Sequence, residues 1–486
     1  MKKYRAYYSF VALVLLATGS QAQGQAQNGT EIGPTLSLQQ AVAIGIKNNL
    51  LVNQTDIQSQ TARVNLTQAW GYMLPQISAT ASQGIGFGRS LITSTYTYTD
   101  QQTTSGNYQL NANLTLFSGL SLQNGVRQYR YAYEASKLDL QQQKDNITLN
   151  VLVAYLQVIN NQELLNIARQ QADADAKQVE RLDGQNKEGA LILLSNLTDL
   201  RGQYAGDQAN IAAAANNLET AKITLFQYLN VPYKRDVEYD MSALTMQLTD
   251  TQENPDSVYQ TALRTLPSVK SADLRIRSSQ RGLAAARGQY YPTLSFYTNV
   301  NSYYSNAAPP ISTLTGISDE ASPAYVNVGG TKYQVLAPTQ NFSFKNATWG
   351  DQFKNNRQTA LGLQLNIPIL NYLRTRNSVK QAKINLKTSE INSNNTRLAI
   401  QQNVEQAYQN MIAAYKQYKS YIDQAAAYAE SFRTTEIRFN EGVINSETYL
   451  IAKNNSDRAN INLSQAKYTY ILRTKVLDYY QGKLSW

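Results

Sequence analysis

The sequence predicts an α+β membrane protein: a long α-helical coiled-coil barrel continuous with a transmembrane β-barrel formed by trimerisation, four strands per chain, in two internal repeats. Three observations carry that expectation. Residues 373–439 hold neither proline nor glycine, and 120–182 hold only Gly125, so each stretch supports a helix of roughly 95–100 Å at ~1.5 Å per residue. Four shorter stretches alternate apolar and polar residues, the period of a strand with one apolar face. The second half of the chain also repeats the plan of the first.

In chain order, residues 1–22 read as a secretory signal peptide: Lys2, Lys3 and Arg5, an apolar run from Phe10 to Ala17, then Ser20-Gln21-Ala22 as a cleavage site. A Gln/Gly/Asn-rich mobile leader is expected over 23–35. The first repeat, 36–232, opens with helical spacing from Ser37 towards Tyr72, stopped by Pro75. A strand follows at 76–83, then a Gly/Ser/Thr-rich loop with strand extensions at its edges, and a clearer strand at 107–117 in which Leu110, Leu114 and Leu116 alternate with polar residues. The long helix 120–182 carries two apolar stripes, one through Ile147, Val151 and Val158, the other through Leu149, Leu152 and Ile159, and so has two neighbours. Gly184 and Gly189 read as its stop signals, and a helix over 191–229 closes the repeat.

After a polar connection at 233–254, the second repeat, 255–486, runs helix, strand 293–304, a Pro/Gly/Asn-rich surface loop 305–358, strand 359–369, long helix 373–439 and helix 446–482. Val404, Ala407, Met411, Ala414 and Tyr418 mark a coiled-coil seam in that long helix. The duplication is explicit in the numbering. Val52, Ala69 and Pro75 match Val269, Ala286 and Pro292 at an offset of 217, whereas Asn124, Gln128 and Gly189 match Asn377, Gln381 and Gly442 at 253. The offset changes inside the strand–loop–strand segment, so the second repeat carries a loop insertion.

Composition narrows the function classes. The chain has no cysteine and no histidine, which removes disulfides, thiolate and imidazole catalysis and ordinary zinc sites. Nothing marks a convergent pair of carboxylates, so no enzyme, no cofactor and no metal is expected. The formal charge is +10, or +7 without Lys2, Lys3 and Arg5. With both signs interspersed this is no nucleic-acid footprint.

No apolar run approaches the ~20 residues of a transmembrane helix, but the strands match the ~9–11 residues of a tilted barrel strand. Four strands cannot enclose a lumen, and an open edge in lipid leaves backbone groups unpaired at several kcal/mol each. Three copies give twelve strands, an even number. Leu, Ile and Tyr would then face lipid, and Asn, Gln, Thr and Ser the lumen. Trp70, Tyr72, Tyr290 and Tyr291, at the two helix-to-strand joints, would form an aromatic girdle. An exported coiled-coil rod or adhesin without a channel is the alternative.

LSLQQAVAIGIKNN, the Pro-x-Ile and Pro-x-Leu strand entries, LFSG and RFNEGVINSETYLIAKNN occur in this order across residues 36–484, and with the duplication they make the chain resemble the TolC-like outer-membrane channels of efflux and type I secretion. The resemblance implies a homotrimer in the Gram-negative outer membrane with a tunnel into the periplasm, serving as the passive exit duct of a tripartite system. Its partners would be a periplasmic adaptor and an inner-membrane transporter that supplies the energy. The adaptor-contact tips would be Arg181, Gly184, Glu188 and Gly189, and Arg438, Phe439, Glu441 and Gly442. Family members often narrow the periplasmic entrance with acidic residues. The matching places here are Ser195, Thr198, Thr448 and Ile451, which favours gating by size and dewetting over cation selection.

Overall fold

The computed structural model describes residues 33–92, 96–100, 102–187, 194–240 and 254–483. The signal peptide and most of the leader lie outside them. The described chain opens on β1 (Thr35–Leu36), followed by α1 (Leu38–Asn48), α2 (Leu50–Gly71), β2 (Gln76–Gly86), β3 (Arg89–Ile92), β4 (Thr97–Asp100), β5 (Thr103–Ser118), α3 (Ser121–Lys187) and α4 (Leu194–Leu229). Then come β6 (Glu238–Tyr239), α5 (Pro255–Thr265), α6 (Pro267–Gly288), β7 (Thr293–Ser305), β8 (Ile311–Val328), β9 (Thr331–Lys345), α7 (Trp349–Asn355), β10 (Gln358–Asn366), α8 (Arg374–Asn440) and α9 (Ser446–Tyr480).

Two compact units emerge: residues 1–53, 143–259 and 404–486 in one, and 54–142 and 260–403 in the other. The first is helical. The end of the expected leader is not loose there, because Thr35 and Leu36 pair in parallel with Glu238 and Tyr239. Tyr155 clamps this small sheet, its hydroxyl donating to the carbonyls of Leu36 at 2.9 Å and Asp240 at 2.8 Å. Both stripes of α3 are covered: Val151, Leu152, Val158 and Ile159 are buried, as are Leu225, Phe226 and Leu229 of α4. The α8 seam buries Val404, Ala407, Met411 and Ala414, and its tyrosines stay partly exposed.

The first helix of each repeat is broken where the sequence reads as continuous. Asn49 has an extended backbone (φ −65°, ψ 126°), and its side-chain oxygen accepts from the amides of Leu51 and Val52, so α1 ends and α2 begins on one residue. Leu266, 217 residues later, holds φ −65° and ψ 131° before Pro267, because a residue preceding proline is pushed out of the helical region.

The second unit is built on a four-stranded antiparallel sheet in the order β10-β7-β5-β2. Its register sorts the side chains. Leu361, Leu363 and Leu365 pair with Thr298, Phe296 and Leu294, and these continue the face of Leu110, Ala112 and Leu114 and of Ile77 and Ala79. The other face carries Gln364, Asn299, Asn111, Asn113, Ser78 and Thr80, with Tyr297 and Tyr303 as aromatic exceptions. An amide bridge from Asn299 to Asn111 crosses β7 and β5 on this polar face. Much of the apolar face is uncovered in the single chain: Ile77, Leu110, Leu361, Leu363 and Leu365 are all exposed.

Two expected loops prove to be strand-rich. Residues 84–106 extend β2 and β5 and add the β3–β4 hairpin. The 305–358 insertion is the long β8–β9 hairpin, turning on Gly329-Gly330, followed by α7. The sequence hides this hairpin because Pro323 falls in an irregularity of the pairing between Ala321 and Tyr325, so the two-residue alternation is interrupted. Conversely β10 stops at Asn366, short of the expected 369, just before Pro368, which has no amide to pair.

Both strand-to-helix joints use consecutive left-handed residues at an offset of 253: Gly119 and Leu120 (φ 61° and 59°) before α3, Tyr372 and Leu373 (φ 52° and 62°) before α8. In the first joint a Cβ on Gly119 would lie 2.3 Å from the carbonyl oxygen of Gly288 and 2.7 Å from Cβ of Tyr291. Only glycine permits that approach. Gly119→Ala is therefore expected to lower stability by about 2 kcal/mol or more, the left-handed penalty plus the clash. Gly184→Ala, in the last turn of α3 with open space around it, is expected to raise it by up to about 1 kcal/mol. Thermal unfolding of the detergent-solubilised protein reads both.

Candidate functional site

The end of the helical unit where α3, α4, α8 and α9 terminate gathers most of the predicted site residues. Helix α8 ends in a reversal that glycine makes possible: Gly442 takes φ 73°, its amide donates to Phe439, and that of Val443 donates to Arg438, a Schellman closure. Two residues later Asn445 starts α9, its side-chain oxygen accepting from the amide and hydroxyl of Thr448. The reversal leaves Arg438, Glu441, Gly442 and Val443 exposed, Val443 at 65%.

The remaining tip residues are placed differently. Phe439 is buried and stacks on Tyr449, centroids 4.5 Å apart, in a core with Leu182, Leu197 and Leu200. Arg181 is half-buried; it donates to Gln178 and to the Asn440 carbonyl and lies over the Phe439 ring. These two side chains join the hairpin of the first repeat to that of the second. Ser446 strengthens the joint, donating from its hydroxyl to Asp199 at 2.7 Å and from its amide to Asn196. Gly184 ends nothing: α3 runs through it to Lys187, held by Asp183, which pairs with Lys187 at 2.7 Å and Arg201 at 2.8 Å. One interior glycine is too small a penalty to stop so long a helix. Glu188 and Gly189 lie outside the described residues.

Ser195 and Thr198 on α4 and Thr448 and Ile451 on α9 are all exposed, each pair one helical turn apart. The Thr198 hydroxyl donates back to the carbonyls of Leu194 and Ser195, and Ile451 is 57% exposed. The carboxylate nearest in sequence to Thr198, Asp199, is already engaged by Ser446. Trp70, Tyr72, Tyr290 and Tyr291 are likewise exposed at the helix-to-strand joints of the other unit. Among the described residues no group of acidic side chains is arranged to hold a metal ion, and no helix is long and apolar enough to cross a membrane.

One cluster escapes the sequence reading altogether. Lys453 of α9 is almost wholly buried and ion-paired with three carboxylates: Asp457 at 2.6 Å, Asp175 of α3 at 3.2 Å and Asp207 of α4 at 3.6 Å. Asp175 is itself fully buried, and Asp207 nearly so. Burial, then the hydrogen bond with Asp207, outweighs the lysine and pushes the Asp175 carboxyl up to about 7. Burial raises Asp457 too, against the pull of Lys453. For Lys453 itself burial alone would lower the pKa, but the surrounding carboxylates win and hold it above its ordinary value. In the sequence these four residues look like ordinary solvated helix charges. The available signal was spacing: Tyr449, Lys453 and Asp457 stand four apart, which puts the charges on the face that carries a buried ring.

A group whose folded pKa exceeds its unfolded value near 4 contributes stability that is present at low pH and lost as pH rises through the folded value. Raising pH from about 4 to about 7 is therefore expected to loosen this cluster, and Asp175→Asn to flatten that part of the stability profile. Lys453→Met, which strands buried carboxylates, should destabilise by about 3–5 kcal/mol at neutral pH. Denaturant titrations across pH measure both.

The comparisons agree with this geometry. The family model for the outer membrane efflux protein matches residues 39–231 and 258–478, well over half of the chain. The outer membrane protein TolC of Escherichia coli K12 is 22% identical over 334 residues, 68% of this chain and 60% of that protein, so the matched region spans less than two thirds of the relative. Among solved structures, CusC superposes with a TM-score of 0.72 at 15% identity, covering 91% of both chains. The Neisseria gonorrhoeae MtrE outer membrane channel in its open state gives 0.66 at 16%, covering 94% of both.

Proposed function

The chain belongs to the outer membrane efflux protein family and resides in the outer membrane, and we propose that three copies close into a passive channel through which solutes leave the periplasm. The observation that carries the reading is the two-faced sheet. Its edge strands β2 and β10 are each paired on one side alone within the sheet, and by the alternation of pairing across four strands they run antiparallel to each other. Edge β2 of one copy can therefore pair with β10 of the next in the sense used throughout the sheet. Three copies give twelve strands, no open edge and a polar lumen, which removes the cost of unpaired backbone in lipid. The exposed leucines of β10 then face acyl chains, and Trp70, Tyr72, Tyr290 and Tyr291 mark the periplasmic interface.

Helices with two buried stripes serve as tunnel staves. In this reading Arg438, Glu441, Gly442 and Val443 form the surface offered to a periplasmic adaptor, with Arg181 and Phe439 bracing it from behind. An inner-membrane pump supplies the energy. Thr448 and Ile451, with Ser195 and Thr198, narrow the entrance without fixed charge, so passage is limited by size and wetting.

In planar bilayers the purified protein is expected to conduct as a detergent-stable trimer. Joint Thr448→Asp and Ile451→Asp replacement should shift the reversal potential several-fold towards cations. A soluble monomer without conductance defeats the channel. For the tip, Gly442→Leu is expected to abolish adaptor cross-linking while the trimer persists; normal cross-linking removes the adaptor surface from the reading.

A further inference from the structure

Helix α7, seven residues long, lies on the apolar face of the sheet rather than beyond its end. The Trp349 indole donates to the Tyr108 hydroxyl at 2.9 Å, and Tyr108 meets both Trp349 and Phe353 edge-on. The Ser302 hydroxyl donates to the Phe353 carbonyl at 2.8 Å. Tyr108 and Ser302 are paired across β5 and β7 and share the face of Leu110 and Val300. Gln352 is buried beneath the helix, tied to both backbone groups of Ser305.

The two rings that meet Tyr108 also stack on each other and are only half covered by the sheet. Trp349 and Phe353 lie 5.1 Å apart at 17°, and remain 49% and 40% exposed. Lys354 and Arg357 are exposed beside them. From Tyr291 to Ser302 the strand climbs about 36 Å along its axis, or about 28 Å after a tilt of 35–45°, against an apolar band of ~25 Å in outer-membrane barrels. The helix thus stands one band height from the Tyr290-Tyr291 joint, over the two central strands and away from either edge where another copy would pair.

We propose that α7 is an anchor for the outer leaflet: its aromatic stack enters the acyl–headgroup boundary, and Lys354 and Arg357 engage a phosphorylated lipid headgroup. This rests on the reading of the apolar face as lipid-facing. Amphipathic aromatics prefer that boundary, and exposed basic side chains beside them complement anionic lipid phosphate.

The test places a single tryptophan at 349 (Trp70→Phe, Trp486→Phe) in bilayers of brominated lipid. Quenching is expected to be strongest for bromines near the headgroup. A control carrying Leu363→Trp with Trp349→Phe should be quenched best by bromines deep in the acyl chains. Quenching at 363 but not at 349 overturns the anchor and leaves the barrel standing, as does a Trp349 shielded by another segment or copy from both lipid bromine and aqueous iodide. Absence of quenching at both positions overturns the lipid-facing reading with it. In neutral-lipid nanodiscs, adding a bisphosphorylated glycolipid is expected to raise the Tm of the native chain, and by less than half as much for Lys354→Glu/Arg357→Glu. Inorganic phosphate should give no such rise. Equal shifts in chain and variant, or an equal response to free phosphate, overturn the headgroup contact.

Discussion

A β-sheet in hydrocarbon tolerates no unpaired edge, and in this chain that rule governs almost everything else. The four strands leave two edges open and hold their leucines on one side by register alone. A slip of one residue would turn every leucine of β10 to the polar face. The register is locked at several points: the bulge between Thr115 and Phe117, the Asn299–Asn111 amide bridge, and the capped helix α7 seated over Tyr108 and Ser302. Each fixes β5 against β7, the central pair on which both edge strands depend.

The joints between strand and helix show what duplication preserves. Two consecutive left-handed residues recur at the same place in both repeats, although one pair is Gly-Leu and the other Tyr-Leu. Left-handed backbone is unfavourable for Tyr and Leu, so the geometry of the joint is retained where the residue best suited to it is not. Only the first joint has the close backbone approach, Gly119 against Gly288, that makes glycine obligatory.

The long helices, the four sheet strands and the repeat were legible because each rests on periodicity, which burial enforces along the whole element. Val404 to Ala414 and the two stripes of α3 were readable for that reason. What escaped was set by single local events. Asn49 breaks a helix with one side-chain bond, and β8–β9 is disguised by Pro323. At the tip, Phe439 and Arg181 look like surface residues in sequence and are committed to packing and hydrogen bonds. The Lys453 cluster was opaque for a stronger reason. Its members come from three helices, and no one-dimensional pattern distinguishes a charge that meets three partners from one that meets water.

Position 453 corresponds through the duplication to Leu200, and both side chains are buried, one charged and one apolar. Two helices of like ancestry therefore fit sockets of opposite chemistry. If α4 and α9 exchanged places, an apolar socket would receive an ammonium, and Asp175 on α3 would be left without a cation. One buried lysine thereby gives the two halves of the duplicated chain different packing requirements at the same place in the repeat.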